Sequence, residues 1–293
     1  MLKYESIREL AEAAQESGQK ISELVLADQA EAMEQNAGEL YERMRESFQV
    51  MCESVNEGIK KDQRSMSGLT GGEGFRMKEY SQARQGGLCG PFLANAISRA
   101  LAVAGCNASM GRIVAAPTAG SCGILPGCLV SLYEERGFSQ RDVVMSMFTA
   151  GAFGMVIAAK ASIAGAQGGC QAECGSAAAM AAAALTELMG GTPAQCADAC
   201  AIAIANQLGL VCDPVAGLVE IPCIKRNVSG LMIAFSSADL ALAGVGPKIP
   251  ADECIDAMRR VGDTMPSALK ETAEGGLAAT PTGQKLREQV FGE

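Results

Sequence analysis

The sequence predicts an all-α fold, a single large helical domain whose helices are interrupted by irregular glycine-rich loops. Of its 293 residues, 48% are hydrophobic, which is enough to bury a substantial core. Only 4% are aromatic and tryptophan is absent, whereas glycine and methionine number 34 and 15. Small and unbranched apolar side chains favour closely packed helices over a β-sandwich. Apolar residues also recur at spacings of three and four, as on one face of a helix.

Residues 6–59 are acidic and have the periodicity of amphipathic helices. Ser6 and Glu9 fit a capping box at the start of the first helix. Further along, one apolar stripe is formed by Leu40, Met44, Phe48, Met51, Val55 and Ile59. We therefore predict an N-terminal helical extension over residues 1–60 and a larger helical domain over residues 61–293. The extension either packs as an amphipathic helix or docks a partner.

Residues 60–90 are rich in glycine, serine and charge, centred on Ser67-Gly68-Leu69-Thr70-Gly71-Gly72-Glu73-Gly74. This composition predicts that the segment is not a stable helix. Successive backbone N–H groups in such a loop can form a nest that holds an anion such as a carboxylate, although many glycine-rich loops are only linkers. No Gly-Lys-Ser/Thr follows, so it is not a Walker loop.

A second irregular segment follows a predicted helix over residues 91–104. It contains Ala116-Pro117-Thr118-Ala119-Gly120-Ser121-Cys122-Gly123 within strongly apolar surroundings. Proline and glycine enforce an irregular backbone here, and each buried N–H group requires an acceptor from a side chain or a ligand. The segment is either part of a binding site or a tight packing turn between helices.

The rest of the chain predicts further helices and a polar tail. The predicted ranges are 141–163, 176–189, a helix from Pro193 with Thr192 as its N-cap, 227–243 and 251–261, then a partly ordered tail over 265–293. The uncharged run over residues 143–159 is predicted to be a buried core helix and not a membrane span, because it is short, rich in small residues and followed by Lys160. Cys196 and Cys200 lie one helical turn apart and are predicted to be core thiols.

The overall charge and the cysteines limit the class of protein. A net charge of −9 argues against nonspecific nucleic-acid binding, which requires a basic surface. The first residues, Met1-Leu-Lys-Tyr-Glu-Ser, match neither a signal peptide nor a transit peptide, so we expect a cytoplasmic protein. Its twelve cysteines are then expected to be reduced thiols or metal ligands, not disulfides.

Three cysteines, Cys170, Cys212 and Cys223, stand where glycine or proline breaks an apolar stretch. Such turns let a backbone present thiolates inward, which is typical of a metal site. Structural zinc sites generally use Cys-x2-Cys pairs, whereas the nearest pair here, Cys170 and Cys174, has three intervening residues. Spacing alone therefore leaves a zinc site, an iron–sulfur site and a set of buried free thiols open.

The residues around these cysteines form recognisable motifs. They are Ser67-Gly-Leu-Thr-Gly-Gly, Ala116-Pro-Thr-Ala-Gly-Ser-Cys-Gly, Ser162-Ile-Ala-Gly-Ala-Gln-Gly-Gly-Cys170-Gln-Ala-Glu, Cys212-Asp-Pro-Val-Ala-Gly and Ile221-Pro-Cys223-Ile-Lys-Arg-Asn227. Together, and in this order, they closely resemble the iron–sulfur L-serine dehydratase family, from about residue 60 to residue 280. The chain looks like the alpha subunit of the two-chain form of that family.

The resemblance implies a four-iron four-sulfur cluster held by Cys170, Cys212 and Cys223, with one open iron and no pyridoxal phosphate. The open iron would act as a Lewis acid on the hydroxyl and carboxylate of L-serine, so that β-elimination of the hydroxyl yields pyruvate and ammonia. The resemblance also implies an oxygen-sensitive lyase of amino-acid catabolism and gluconeogenesis. Residues 61–293 would then be its helical catalytic iron–sulfur domain, with the loops around a buried cluster site.

Roles follow for the loops and for the residues beside the cysteines. The loop residues expected to bind the substrate are Ser67, Gly68, Thr70, Gly71, Gly72, Thr118, Ala119, Gly120, Ser121 and Gly123. Asp213 is expected to orient its loop or pair with Arg226, and Asn227 to hydrogen-bond a cluster sulfur. Cys174, where some relatives have an apolar residue, is expected to be a buried filler, an adventitious ligand or a redox-sensitive neighbour.

The chain contains no histidine, the usual general base near neutral pH. In the family that the chain resembles, a Ser-Ser-Ser-His-Thr motif belongs to the beta portion. We therefore expect a separate beta subunit to supply the base or to complete the pocket. Lys160 is the internal alternative, although a lysine at the end of a helix is commonly a solvated cap.

Other functions remain open. A pyridoxal-phosphate lyase would use Lys160 as its Schiff-base lysine and residues 165–169 as a phosphate cradle, but the strand–helix alternation expected of such enzymes is missing. A catalytically silent subunit would use its thiols only structurally. An iron–sulfur desulfidase acting on cysteine would share the cysteine framework, and competition between serine and cysteine would distinguish it.

Overall fold

The computed structural model describes residues 3–292 and is 71% helical. Met1, Leu2 and Glu293, at the ends of the predicted extension and tail, lie outside the described residues. These described residues form no β-strand, which confirms the predicted all-α fold. The α-helices, in chain order, are α1 Ile7–Ser17, α2 Ile21–Ala32, α3 Ala37–Gly58, α4 Glu73–Ala83, α5 Gly90–Ala108, α6 Ile124–Glu135, α7 Gln140–Lys160, α8 Gly165–Gly168, α9 Ser176–Leu188, α10 Pro193–Ala205, α11 Cys223–Leu242, α12 Ala251–Thr264 and α13 Pro281–Phe291.

The apolar core is built largely from small side chains. Helix α9 lies at its centre, and every residue from 176 to 187 is buried. Helices α7, α10 and α11 pack against α9. The alanine-rich sequence of α9 explains this arrangement, because methyl side chains let neighbouring helices approach closely. The result is a rigid frame beneath the segment that carries Cys170.

Helices α1 to α3 contribute to the same core. Ile7 and Ile21 are fully buried in it. The apolar stripe predicted on α3 is confirmed at Phe48, Met51 and Val55, which are buried. The division of the chain at residue 60 stays a prediction, since residues on both sides of it share one core.

Two predicted helix starts are confirmed by their caps. The Ser6 hydroxyl accepts a hydrogen bond from Glu9 N at 3.1 Å at the start of α1. Thr192 Oγ1 accepts from Gln195 N at 3.2 Å, and Gln195 Oε1 accepts from Thr192 N at 2.9 Å, which closes a capping box at the start of α10. Local side-chain chemistry therefore explains both helix boundaries.

Two segments are more helical than the sequence predicts. The prediction of no stable helix over residues 60–90 is wrong for α4, which begins directly after Gly72, a residue with left-handed backbone at φ 71°. Clustered glycines hid this helix because they run up to its start and one of them, Gly74, lies in its first turn. The tail from residue 265 contains helix α13, capped by the Thr280 hydroxyl, where only partial order was predicted.

Two stretches are long and apolar enough to cross a membrane by length and composition alone, Gly87–Ala108 and Gln140–Lys160. Of their most apolar windows, 50% and 61% are buried inside the fold. Core helices of compact proteins meet the same criteria. In α7, Phe148 and Phe153 are both buried, which confirms the core helix predicted over residues 143–159.

Candidate active site

Three segments that are distant in sequence bring Cys170, Cys212 and Cys223 together in the interior. Cys170 precedes a short π-helix, Gln171–Gly175, Cys212 lies in the loop after α10, and Cys223 is the first residue of α11. All three side chains are buried. Burial raises the pKa of Cys212 and of Cys223, and the nearby charge of Cys170 raises both further. Cys212 Sγ lies 3.7 Å from Glu173 Oε2, three residues after Cys170 in sequence.

The π-helix places a fourth thiol beside these three. The Sγ atoms of Cys170 and Cys174 lie 3.4 Å apart and are hydrogen-bonded to each other. This bond lowers the pKa of Cys170 and raises that of Cys174. Short π-helical turns within helices are rare and are frequent at functional sites. Cys174 is thus a direct neighbour of a proposed ligand.

The electrostatics of the thiols limit how they can ionise. Burial raises the pKa of Cys223 to about 12, so this thiol is neutral near pH 7 when no cation is present. The positive charge of Arg226 acts against burial and lowers the pKa of Cys223 and of Cys170. Three thiolates in this space would need more positive charge, as a metal centre supplies. Among the described residues, no three His, Cys, Asp or Glu side chains are grouped so as to hold one metal ion.

A buried ion pair holds the loop that carries Cys212. Arg226 Nη2 lies 2.7 Å from Asp213 Oδ1, and Arg226 Nη1 donates to Val211 O at 2.7 Å. Asp213 Oδ2 accepts from Leu277 N at 2.7 Å, which ties the C-terminal tail to the same loop. The structure thus contains the Asp213–Arg226 pair and gives it a bracing position.

Asp213→Ala is expected to lower the free energy of unfolding by about 3–5 kcal/mol, because it leaves Arg226 buried without its carboxylate. Urea unfolding of the purified chain measures this loss. Asp256→Ala removes exposed pairs with Arg259 and Arg260 and is the matched control, expected to leave the midpoint nearly unchanged. Equal destabilisation by both variants would contradict the bracing position of Asp213.

Asn227 joins the loop at residues 118–123 to the start of α11. Its Oδ1 accepts from Gly123 N at 2.8 Å, and its Nδ2 donates to the carbonyls of Gly120 and Cys223, each at 2.9 Å. Both amide hydrogens are therefore used on carbonyls and not on a sulfur. Gly123 has no room for a side chain, since a Cβ there would lie 2.4 Å from Ala100 O.

A carboxylate without a predicted role, Glu173, lies between the loop at residues 118–123 and Cys212. Thr118 Oγ1 donates to Glu173 Oε1 at 2.8 Å, and Cys212 Sγ lies 3.7 Å from Glu173 Oε2. Gly165 permits this approach, because a Cβ there would lie 2.6 Å from Glu173 Oε2 and 2.9 Å from Cys212 Sγ. Burial raises the pKa of Glu173.

A second carboxylate without a predicted role, Glu220, accepts hydrogen bonds from the loop at residues 67–72. Ser67 Oγ and Thr70 Oγ1 donate to Glu220 Oε2 at 2.9 and 2.8 Å. Glu220 is only 6% exposed and lies three residues before Cys223. Each glycine-rich loop is therefore tied to a cysteine segment by hydrogen bonds from hydroxyl groups to a glutamate.

One signal in the sequence could have identified both glutamates. Glu173 is the one acidic residue over residues 143–186, and Glu220 is the one acidic residue over residues 214–238. An acidic side chain isolated in an apolar stretch is costly to bury unless it has specific partners. Such isolation is a better indicator of a site than the hydroxyl groups of the loops themselves.

Lys160 lies apart from the thiols. Its Nζ lies 3.3 Å from Asp252 Oδ1 at the start of α12, and its side chain is 36% exposed. It lines a surface cavity of about 590 Å³ together with Ser162, Gln167 and Arg259, and no cysteine of the described residues lines that cavity. The structure does not bring Lys160 together with the other predicted site residues.

The sequence of the chain is similar to the sequences of known proteins. A profile of the serine dehydratase alpha chain matches residues 16–278. The chain is 47% identical to the probable L-serine dehydratase alpha chain of Bacillus subtilis, over 99% of this chain and 96% of that one. It is 45% identical to the L-serine dehydratase alpha chain of Peptoniphilus asaccharolyticus, over 98% of each. It is 39% identical to the L-serine dehydratase of Streptomyces coelicolor, over 92% of this chain and 59% of that one. The chain therefore belongs to the serine dehydratase alpha chain family.

Proposed function

We propose that this chain is the alpha subunit of an iron–sulfur L-serine dehydratase, a cytoplasmic lyase that converts L-serine to pyruvate and ammonia. The family supports the reaction, since the named relatives are L-serine dehydratases. The observation that carries the proposal is the burial of Cys170, Cys212 and Cys223 in a chain of this family, with Cys212 Sγ 3.7 Å from Glu173, a neighbour of Cys170 in sequence. All twelve cysteines are free thiols, which agrees with a reducing compartment.

The three cysteines would hold a four-iron four-sulfur cluster. Thiolates are the usual ligands of such clusters, and each binds its own iron, so the sulfurs need not converge on one ion. This agrees with thiols that lie near one another although, within the described part of the chain, no three ligand side chains form a single-ion site. When bound, the cluster supplies a Lewis acid at the iron that has no protein ligand.

Other residues of the chain favour the thiolate forms of these cysteines and hold them in position. The positive charge of Arg226 favours the thiolate forms of Cys170 and Cys223. Asp213 holds the guanidinium in place, and Asn227 fixes the carbonyl of Cys223. The ligands are therefore positioned by hydrogen bonds and charge that do not depend on a substrate.

The loop at residues 118–123 would contact the substrate mainly through its backbone. Its hydroxyl groups are already hydrogen-bonded inside the protein, because Thr118 Oγ1 donates to Glu173 and Ser121 Oγ lies 3.2 Å from Thr118 Oγ1. Ala119 and Gly120 begin a 3-10 turn, where backbone N–H groups have no acceptor within the turn. Such backbone donors suit a carboxylate. In the loop at residues 67–72 most backbone N–H groups are already used, since Gly68 N donates to Ser65 O, Thr70 N to Ser65 Oγ and Gly72 N to Gln63 Oε1.

A separate beta subunit would complete the site. The chain contains no histidine, and two relatives are named as alpha chains. The Streptomyces coelicolor relative is a longer protein, of which this chain covers 59%. Two strongly exposed methionines flank the loop at residues 67–72, Met66 at 74% and Met110 at 80% exposure. Met66 N donates to Ala108 O at 3.0 Å, which places both methionines at the same edge.

The double variant Met66→Glu, Met110→Glu is expected to weaken binding of the beta chain by about tenfold or more, because it places two charges where apolar contact is expected. Calorimetric titration of the alpha chain with the beta chain measures the change. Met189→Glu is the control, since Met189 is also exposed and follows α9. An unchanged affinity in the double variant would show that the beta chain binds elsewhere.

The reaction itself is tested by pyruvate formation from L-serine. The complex of alpha and beta chains, purified without oxygen, is expected to deaminate L-serine in preference to releasing sulfide from L-cysteine. Preferred sulfide release would instead identify a desulfidase. A pyridoxal-phosphate lyase gains no support from the structure, because Lys160 is ion-paired to Asp252 at the surface. If the complex turned over neither L-serine nor L-cysteine, the proposed function would be wrong.

A further inference from the structure

Glu220 is a buried carboxylate with only half of its hydrogen-bonding capacity used. Its Oε2 accepts from Ser67 Oγ and Thr70 Oγ1 at 2.9 and 2.8 Å. Its Oε1 accepts no hydrogen bond from the described residues, and no lysine or arginine nitrogen of these residues lies within 4.0 Å of the carboxylate. At 6% exposure the side chain is nonetheless more than nine-tenths buried.

The buried carboxylate of Asp213 is better satisfied than that of Glu220. Asp213 has the guanidinium of Arg226 and a backbone N–H group on its second oxygen. A buried carboxylate without a cation is costly, and neutral hydroxyl donors compensate this cost only in part. Glu220 Oε1 is not fully sealed from solvent. The arrangement leaves one carboxylate oxygen open to a further hydrogen-bond donor, such as a small cation.

The location of Glu220 points to the cation. The residue lies between Cys212 and Cys223 in sequence, and its hydroxyl donors belong to the loop at residues 67–72. It therefore joins the cysteine segment to the loop at residues 67–72. The α-ammonium group of an amino-acid substrate bound beside the cysteines is a small cation of the required kind.

We propose that Glu220 binds the α-ammonium group of the amino-acid substrate, while the hydroxyl groups of Ser67 and Thr70 orient the carboxylate of Glu220. The inference rests on the proposed deamination of L-serine and adds a residue that selects α-amino acids over hydroxy acids. The bond is a charge-assisted hydrogen bond in a site with little solvent, where such bonds are strongest. Glu220 makes this contact with the substrate and has no assigned part in proton transfer.

Glu220→Gln separates this function from a purely structural one. The glutamine carbonyl can still accept from Ser67 and Thr70, so the loop stays tied while the negative charge is lost. In the complete alpha–beta enzyme, KM for L-serine is expected to rise about 10- to 100-fold, the size expected for loss of one charge-assisted hydrogen bond, with a much smaller change in kcat. Inhibition by 3-hydroxypropionate, which lacks the amino group, is expected to stay unchanged.

Two further variants control for folding and for charge. Glu220→Asp keeps the negative charge. Its preference for L-serine over 3-hydroxypropionate is therefore expected to exceed that of Glu220→Gln. Glu187→Gln makes the same chemical change at another buried glutamate, one that accepts from Ser22 N at 3.1 Å, and is expected to leave both constants unchanged. Iron content and the thermal midpoint are recorded for each variant.

The outcomes separate this inference from the proposed function. An unmodified complex that does not deaminate L-serine would overturn the proposed function and the inference with it. A Glu220→Gln complex that deaminates L-serine with unchanged KM would overturn the ammonium assignment alone. Equal weakening of L-serine and 3-hydroxypropionate would also overturn it, since Glu220 would then act only on the shape of the loop.

Discussion

Cys212→Ser is expected to remove the cluster from the assembled alpha–beta enzyme and to lower serine deamination by at least about 100-fold. A hydroxyl is a harder and much weaker donor to iron than a thiolate, and the cluster would lose one of its three protein ligands. Loss of a residue that only supports a ligand already costs about 10- to 100-fold, so loss of the ligand itself should cost at least as much. Iron content, acid-labile sulfide and pyruvate formation measure the effect.

Cys254→Ser is the matched control for this substitution. Cys254 is also buried, and its Sγ lies 3.7 Å from Ile249 O, so a serine hydroxyl keeps an acceptor there. It is expected to retain the cluster and most of the activity. Full iron content and full activity in Cys212→Ser would contradict ligation by Cys212 and would favour a subunit whose thiols are only structural.

The isolated alpha chain, reconstituted with iron and sulfide, is expected to deaminate L-serine at least about 100-fold more slowly than the alpha–beta complex. The reason is the missing general base, a group that typically contributes about 10²- to 10⁴-fold to a rate. The chain has no histidine, and Lys160 is held in an ion pair with Asp252. Adding purified beta chain to the same sample should restore the rate.

Lys160→Met provides the control for the internal base. If the isolated alpha chain turned over L-serine at the rate of the complex, the proposed role of the beta chain would be wrong. Loss of that turnover in Lys160→Met would then assign the base to Lys160. Unchanged turnover would direct the search to Glu173, which lies 3.7 Å from Cys212 Sγ and 2.8 Å from Thr118 Oγ1.

Periodicity predicted most of the helices because their signal is local. The stripe on α3 and the alanine-rich run of α9 each lie within one helix, where neighbours in sequence are neighbours in space. Helix α4 was missed because clustered glycines precede it and one of them, Gly74, lies in its first turn. Local sequence patterns therefore predict long helices well, and they fail where the composition changes within a few residues.

The site could be predicted only in part because its contacts join distant segments. The three cysteines were selected through resemblance to a family, since spacing alone left free thiols equally open. Thr118 and Glu173 are 55 residues apart, and Ser67 and Glu220 are 153 apart. No local pattern encodes such pairs. What the sequence does show is that each glutamate is isolated among apolar residues, and this signal is worth using elsewhere.

The structure also changes the expected role of the loops. Their serine and threonine side chains were expected to bind the substrate, yet Ser67, Thr70 and Thr118 donate to glutamates of the cysteine segments. We therefore propose that the substrate is contacted by backbone N–H groups of the loop at residues 118–123 and by the carboxylate of Glu220. The loops and the proposed ligands form one connected network, so a change in either should affect the other.

The central claim, a cluster on Cys170, Cys212 and Cys223 with one iron open to the substrate, is tested most directly by Mössbauer spectroscopy of the ⁵⁷Fe-loaded alpha–beta complex. The account predicts the spectrum of a four-iron four-sulfur cluster in which about one quarter of the iron changes its isomer shift when L-serine is added. A complex that deaminates L-serine without bound iron, or whose iron spectrum is identical with and without L-serine, would contradict it.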